Sequence, residues 1–420
     1  MTDQQPVLIS DAQVFDGTSD ELRRADVLVT GSKISEVSEK PLTAPDGARR
    51  IDADGRVLMP GMSDAHWHMI FAPNTMDAML EADTGLMYAN AVAEAESTLL
   101  RGFTTVRDVG GPTFGVKKAI DAGSVPGPRV FPSGALISQT AGHGDFSPAY
   151  AAPVTLGGRP SRFDEIGVFA VANGPAEVQA AVRAQLKRGA SQIKLALGGG
   201  VISDTDPLDT LQYTSEEISA AVQTAADWGT YVCAHVYTAE GIKRAIRAGV
   251  KSIEHGHLVD EETLDEMARN NAWLSLQPFQ KGDNPLTEEQ IKKAEPTSHW
   301  DRVAQWAKDR GVRVAFGTDM LFQPGKLGIQ SVLMTRFEKV FGAVGTLKIV
   351  TSGNAELLGL SGKRSPYGEA PLGVIREGAW ADLLVVDGNP LENLSILADP
   401  GKSLALIMKN GAVHKNTLGE

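Results

Sequence analysis

Apolar and polar positions alternate in short runs at both ends of the chain and in longer, mixed runs between them. Val7-Leu8-Ile9-Ser10, Ala25-Asp26-Val27-Leu28-Val29 and Lys33-Ile34-Ser35-Glu36-Val37 are β-rich stretches, with Gly17 and Gly31 as turn signals between them. From residue 361 onward the same style returns. Ala381 to Val386 and Leu404 to Met408 predict buried strands, the second ending at the turn signal Asn410-Gly411. Strands at both ends around a different middle predict one small β-sandwich domain built from both termini.

The middle alternates strand-like and helix-like patterns. Strands are predicted over Val57 to His68, Phe103 to Val109, Arg129 to Leu136, Gln192 to Leu197, Tyr231 to Val236, Ser252 to His255, Trp273 to Gln277 and Val312 to Thr318. Helices are predicted over Ala176 to Arg188, Ser215 to Trp228, Ala239 to Arg247, Glu261 to Asn270 and Trp300 to Arg310. Thr214 and Glu217 sit at capping-box spacing before the second of these. Such alternation fits an α/β fold, a (β/α)8 TIM barrel, better than an open sheet. The expected organisation is residues 1–58 for the N-terminal part of the sandwich, 59–360 for the barrel and 361–420 for the C-terminal part of the sandwich.

Composition narrows the function. The chain has 420 residues, 40 of them basic and 52 acidic, for a net charge of −12. That balance argues against nucleic acid or an anionic membrane as partner. No run of about 18 apolar residues is present, so no spanning helix is expected. The single cysteine, Cys233, makes an internal disulfide impossible and points to a reducing compartment. The opening residues have neither a basic nor an apolar signal region, so a cytoplasmic protein is expected. A secreted or periplasmic protein whose signal peptide has been removed would read the same way.

The eight histidines are the most informative feature. In a barrel of this kind, reactive groups project from the C-terminal ends of strands. His66 and His68 end the first predicted strand, and alternation puts both imidazoles on one face. His235 ends the fifth, His255 the sixth and Asp319 the eighth. Lys194 lies in the fourth, in the apolar run Gln192-Ile193-Lys194-Leu195-Ala196. A buried ammonium costs several kcal/mol, of the order given for unpaired buried ions, unless it is paired or neutralised. Each residue alone has an ordinary reading: a core histidine, a turn aspartate, a lysine tilted to solvent. Together they converge on one mouth of the barrel.

With Leu58-Met59-Pro60-Gly61-Met62-Ser63-Asp64-Ala65-His66-Trp67-His68, Asn354 to Leu360 and Gly378 to Asp387, the pattern resembles the amidohydrolase superfamily. The resemblance is to the binuclear metal-dependent branch, the prolidase- and imidazolonepropionase-like amidohydrolases, including ochratoxin-hydrolysing amidohydrolases. It spans nearly the whole chain. It implies two divalent metal ions, most suitably zinc: His66, His68 and Asp319 at the more buried ion, His235 and His255 at the other. Lys194, N6-carboxylated, would bridge both, together with a hydroxide. The implied reaction is hydrolysis of a small-molecule amide or dipeptide that releases an amino acid. Xaa-Pro or N-acyl amino acid substrates are implied, and ochratoxin A, cleaved to ochratoxin alpha and phenylalanine. Asp319 would move the proton, and a homo-oligomer, up to an octamer, is the common assembly of similar enzymes.

The remaining candidates carry two readings each. His143, in the loop after the third strand, is a catalytic donor that stabilises the oxyanion and touches substrate, or a structural loop residue. Tyr237 shares a face with His235 and either binds a substrate carboxylate or packs as an aromatic. Arg162, in the long connection 144–174, is a solvated loop arginine or a bidentate carboxylate partner. That connection and 280–298 are long enough to be substrate-binding lids. His257 reads as a supporting residue, His299 as a helix start, His414 as part of the C-terminal strand, and Cys233 as a small buried group. Three rivals stand beside the two-metal reading. A mononuclear deaminase would place a Glu three residues after His235, where Thr238 stands. An imidazolonepropionase-like enzyme would open a cyclic amide. A metal-free scaffold or binding protein would lack the ligand set.

Overall fold

The computed structural model describes residues 5–203, 205–284 and 286–418. The chain opens with five strands: β1 (Val7–Val14), β2 (Arg23–Thr30), β3 (Lys33–Ser38), β4 (Arg49–Asp52) and β5 (Val57–Pro60). The middle contributes β6 (Met62–Trp67), β7 (Phe103–Asp108), β8 (Arg129–Pro132), β9 (Leu136–Ser138), β10 (Phe169–Val171), β11 (Ile193–Ala196), β12 (Val232–Thr238), β13 (Ser252–Leu258), β14 (Trp273–Leu276) and β15 (Arg313–Phe316). Three strands close the chain: β16 (Leu383–Val386), β17 (Leu404–Lys409) and β18 (Ala412–Asn416).

Strands from both chain ends hydrogen-bond into one eight-stranded sheet, in the order β18-β17-β16-β5-β1-β2-β3, with β4 on β1. The seam is β16 against β5, antiparallel, pairing Leu383 with Pro60 and Val386 with Val57. The period-two pattern explains the position of this sheet. Leu383, Val385, Leu406 and Met408 face its own apolar cluster with Ile9, Val27 and Leu58. Leu384, Val386, Leu404 and Ile407 point the other way, into the large barrel core. The strands read as fully apolar because each face is buried against a different core.

The middle strands are parallel and form two arcs, β6-β7-β8 and β10-β9-β11-β12-β13-β14-β15. The arcs meet on both sides. The Asp319 amide donates to the His66 carbonyl at 2.7 Å, and the Ser191 amide to the Pro132 carbonyl at 2.8 Å. Helices Gly174–Arg188, Ser215–Asp227, Ala239–Arg247, Glu261–Arg269 and Trp300–Asp309 occupy the predicted intervals. The capping box at Thr214 and Glu217 is formed. Among the described residues no helix is long and apolar enough to cross a membrane.

Two predicted strands are broken, for steric reasons. The run from Val57 to His68 is two strands. At Gly61 a side chain would overlap Thr104, and the chain passes there from the terminal sheet into the barrel. The run from Arg129 to Leu136 breaks at Gly134, which takes φ +74°. Helix Thr84–Leu100 was not predicted: its buried face is Met87, Ala91, Ala95, Thr98 and Leu99, too rich in small residues to read as a stripe.

Arg129, at the start of β8, joins the barrel to the terminal sheet. Its Nε and Nη2 donate to Asp382 at 2.7 and 3.2 Å, and the guanidinium lies 4.0 Å over the Trp380 ring. Both partners are buried. Replacing one member of such a pair strands the other charge. Arg129→Met is therefore expected to lower unfolding stability by about 3 kcal/mol in urea titrations. A loss under about 0.5 kcal/mol, the level of an ordinary surface substitution, would contradict this role.

Candidate metal centre

The end of β6 and the turn after β15 form the centre of the barrel mouth. His66 and His68 present their rings in the same direction, 5.2 Å apart. Their Nε2 atoms lie 3.3 and 3.1 Å from a single oxygen, Oδ1 of Asp319. Ligand atoms of the three residues all fall within 4.8 Å of one another. Asp319 reaches this position through a left-handed backbone, φ +48°. Gly317 permits the approach, since a side chain there would overlap His66. Asp64 ties the two strand ends together. It accepts from the His66 and Thr318 amides at 3.0 and 3.1 Å, from Thr318 Oγ1 at 2.5 Å and from Gln330 Nε2 at 3.0 Å.

His235 and His255 stand beside this group. Their rings are 4.5 Å apart, and the His255 ring is 5.0 Å from that of His66. Regular alternation would turn His255 away from the side occupied by Glu254. Instead His255 takes φ +77° and Gly256 φ +62°, so consecutive residues both reach His66. A left-handed backbone costs a non-glycine residue roughly 1–2 kcal/mol. Such local strain is typical of sites where geometry is fixed by the surrounding fold. Lys194, in β11, is 1% exposed and has no hydrogen-bond or ion-pair partner among the described residues. Burial lowers its pKa, against the attraction of Glu254 and Asp319. Its charge acts on His68, His235 and His255.

One nitrogen of each imidazole is engaged from outside the cluster, while the second nitrogens of His66 and His68 face Asp319 Oδ1. His66 Nδ1 faces Glu254 Oε2 at 2.8 Å, and His68 Nδ1 the Gly110 carbonyl at 3.4 Å. His235 Nε2 faces the Gly199 carbonyl at 3.1 Å, and His255 Nδ1 faces Gln277 Oε1 at 2.8 Å. Gln277 Nε2 donates to the Ser275 carbonyl at 3.1 Å, consistent with that amide orientation, and lies 3.3 Å from His66 Nδ1, for which the Glu254 carboxylate at 2.8 Å is the closer partner. Each of these oxygens is an acceptor, so at His235 and His255 the facing nitrogen carries the hydrogen and the opposite one keeps its lone pair; His66 and His68 face an oxygen at both nitrogens, the closer being Glu254 Oε2 for His66 (2.8 against 3.3 Å) and Asp319 Oδ1 for His68 (3.1 against 3.4 Å). Burial pushes His68 down to about 4, and His235 and His255 well below the usual histidine range. Burial would raise the Asp319 carboxyl, but His66, His68 and His255 hold it well below the usual range. Imidazole nitrogens around an ionised carboxylate are a donor set that could hold a divalent cation.

The structure places the other predicted residues as follows. His143 stacks on His235 with ring centroids 4.0 Å apart and planes 14° from parallel. Its Nδ1 is 2.8 Å from Ser203 Oγ and 3.5 Å from Asp206 Oδ2. Tyr237 is perpendicular to His235 and stacked on His255, at 5.2 and 5.0 Å. Its hydroxyl has no partner among the described residues, and burial keeps it protonated. Arg162 lies apart from these rings: its Nη2 donates to the Ala82 carbonyl at 3.2 Å, the C-cap of helix Met76–Glu81. His257 Nε2 lies 3.0 Å from the Gln277 carbonyl, and His299 is the N-cap of Trp300–Asp309. The connection 144–174 packs Phe146, Phe163 and Phe169 into an aromatic group with Phe71, which stands beside His68. In 280–298, Lys293 donates to the Ser203 carbonyl at 2.6 Å, fastening this segment over the partners of His143.

Several participants escaped the sequence reading: Arg107, Glu254, Gln277, Asp64 and Asp206. Arg107 offered only a weak signal, because Thr104, Thr105 and Asp108 keep its strand from reading as an apolar run. Glu254 is adjacent to His255 and was masked by it.

Residues 57–413 match the amidohydrolase family. The chain is 31% identical over 440 residues to the ochratoxinase of Aspergillus niger, covering 99% of this chain and 88% of that protein. It superposes on a prolidase complexed with N-methylphosphonate-L-proline with a TM-score of 0.90 and 32% identity, covering 98% and 100% of the two chains. A Xaa-Pro dipeptidase with bound methionine in its active site gives a TM-score of 0.83 and 32% identity over 98% and 100%.

Cys233 pairs in register with Lys194, and burial pushes its thiol up to about 11. The thiolate is the reactive form. Iodoacetamide at pH 8 is therefore expected to leave the native protein unlabelled and to label it fully in guanidinium chloride. Rapid native labelling, read by intact mass, would contradict a sealed barrel interior at this position.

Proposed function

The chain belongs to the amidohydrolase family, and on that premise we propose that it is a two-metal hydrolase that cleaves an amide bond and releases an amino acid. The substrate class we propose is Xaa-Pro dipeptides and N-acyl amino acids. Ochratoxin A, which would yield ochratoxin alpha and phenylalanine, falls within it. One observation carries the proposal. Four imidazoles gather with an ionised Asp319 and an unpaired buried Lys194 at one barrel mouth, with His66 and His68 converging on one oxygen of that carboxylate.

The residues fit a pair of divalent ions, and the mixed imidazole and carboxylate set suits zinc. His66, His68 and Asp319 would hold one ion, and His235 and His255 the other. Lys194 would serve both as its N6-carboxylate. Burial favours its neutral amine. That neutral amine adds to carbon dioxide, forming an N–C bond and releasing one proton, which leaves an anion suited to the site. Bound there, the ions would polarise the scissile carbonyl and make water a nucleophile near neutral pH.

The protein groups then divide the work. Asp319 is ionised at rest, so it accepts the proton of the attacking water and returns it to the leaving nitrogen. His143, held at Nδ1 by Ser203 and Asp206, is the donor to the carbonyl oxygen as negative charge develops there. The Tyr237 hydroxyl is free to donate to the carboxylate of the departing amino acid. Arg162 would take part in holding that carboxylate only by leaving the Ala82 carbonyl. The molecules named with the similar structures, a phosphonate of proline and methionine, are amino-acid compounds and support this class.

Stripping metal with a chelator is expected to abolish hydrolysis of Xaa-Pro dipeptides, N-acyl amino acids or ochratoxin A, and zinc to restore it. Asp319→Asn should lower kcat by roughly 10²–10⁴-fold, the range for a positioned acid–base group. Activity confined to lactones or cyclic ureides, or full activity in metal-free protein, would overturn the proposal.

A further inference from the structure

Beneath the imidazole cluster the barrel interior holds a fully buried ion pair that is not part of the ligand set. Arg107 and Glu254 are each 0% exposed. Arg107 Nη2 donates to both Glu254 oxygens, at 2.7 and 2.8 Å. Ser252 Oγ donates to Oε1 at 2.6 Å, and His66 Nδ1 is 2.8 Å from Oε2. The other Arg107 nitrogens are also engaged. Nε donates to the Ala65 carbonyl at 2.5 Å, and Nη1 lies 3.2 Å from the Tyr231 hydroxyl and 3.3 Å from Ser252 Oγ.

We propose that Glu254 is a positioning residue for the metal centre: braced by Arg107, it fixes His66 as the Nδ1–H tautomer and turns the Nε2 lone pair toward Asp319. The inference rests on the two-metal reading above. An ionised carboxylate only accepts, so the hydrogen between it and His66 belongs to the imidazole. Glu254 cannot swing away, because three donors hold its two oxygens. Arg107 also grips the carbonyl of Ala65, the residue before His66, so backbone and ring are fixed by one network. A buried ion pair by itself adds little net stability over a well-packed apolar pair. This one has a third member, the His66 ring. Carboxylates behind metal-binding imidazoles typically change metal affinity 10–100-fold when removed.

Glu254→Gln is the discriminating variant. In either orientation its NH2 meets Arg107 Nη2, which donates to both carboxylate oxygens. Placing the amide oxygen at the Oε1 position, where Arg107 and Ser252 both donate, turns the NH2 toward His66 Nδ1 and forces the hydrogen onto Nε2. Zinc affinity, measured by competition with a chromophoric chelator on protein shown folded by circular dichroism, is expected to fall 10–100-fold. In Arg107→Met/Glu254→Gln the amide is free to present its oxygen to His66, and part of the affinity should return. A purely structural pair would change the melting temperature and leave zinc affinity within twofold, which would overturn the proposal. Nitrogen-15 histidine spectra of the unmutated zinc-loaded protein decide independently of variant folding, with His66 assigned by its loss in His66→Asn. A hydrogen on Nδ1 is expected; a hydrogen on Nε2 would overturn the assignment. Unmutated protein that binds no zinc overturns the two-metal reading instead, and the tautomer is then read on that metal-free sample.

Discussion

A carboxylate and two imidazole nitrogens that converge in a buried site need a proton or a cation between them. Asp319 Oδ1 stands 3.3 Å from His66 Nε2 and 3.1 Å from His68 Nε2. Both rings also face an oxygen at Nδ1, Glu254 Oε2 at 2.8 Å and the Gly110 carbonyl at 3.4 Å. A proton is the wrong counter-charge at His68, which burial holds to about 4. A divalent cation satisfies all three groups at once. The rest of the structure follows from supporting this arrangement: strained turns at His255 and Asp319, a close glycine at 317, and Asp64 clamping the first and eighth strands.

The barrel supplies the precision. Each candidate ligand sits on or just after a strand whose neighbours are fixed by parallel pairing, as Lys194 to Cys233 and Ala196 to His235 are. The terminal sheet holds the barrel from outside through alternate residues of β16 and β17 and through Arg129 with Asp382. Two connections then cover the mouth. One brings aromatic rings beside His68. The other brings Lys293 over Ser203, which with Asp206 orients His143.

The ligand candidates were legible in the sequence because their signals are local. His66 and His68 sit two apart at a strand end, and Lys194 is a charge in an apolar run. The stacking of His143 on His235 was legible only as a shared barrel face. Arg107 and Glu254 were not read, because their pairing joins strands 147 residues apart across the barrel interior, and no local pattern encodes that meeting. The direction of His255 depends on a left-handed turn that simple alternation misses. The break at Gly61 depends on contact with Thr104, and the long helix Thr84–Leu100 buries small side chains rather than a clear apolar stripe.

The proposed site has two cations shared by six side chains at this mouth. Anomalous diffraction at the zinc absorption edge, from crystals of zinc-loaded protein, tests it most directly. The account predicts two peaks: one among His66, His68 and Asp319, the other at His235 and His255, with a carboxylated Lys194 reaching both. A single peak, or none, beside an unmodified Lys194 amine would contradict it.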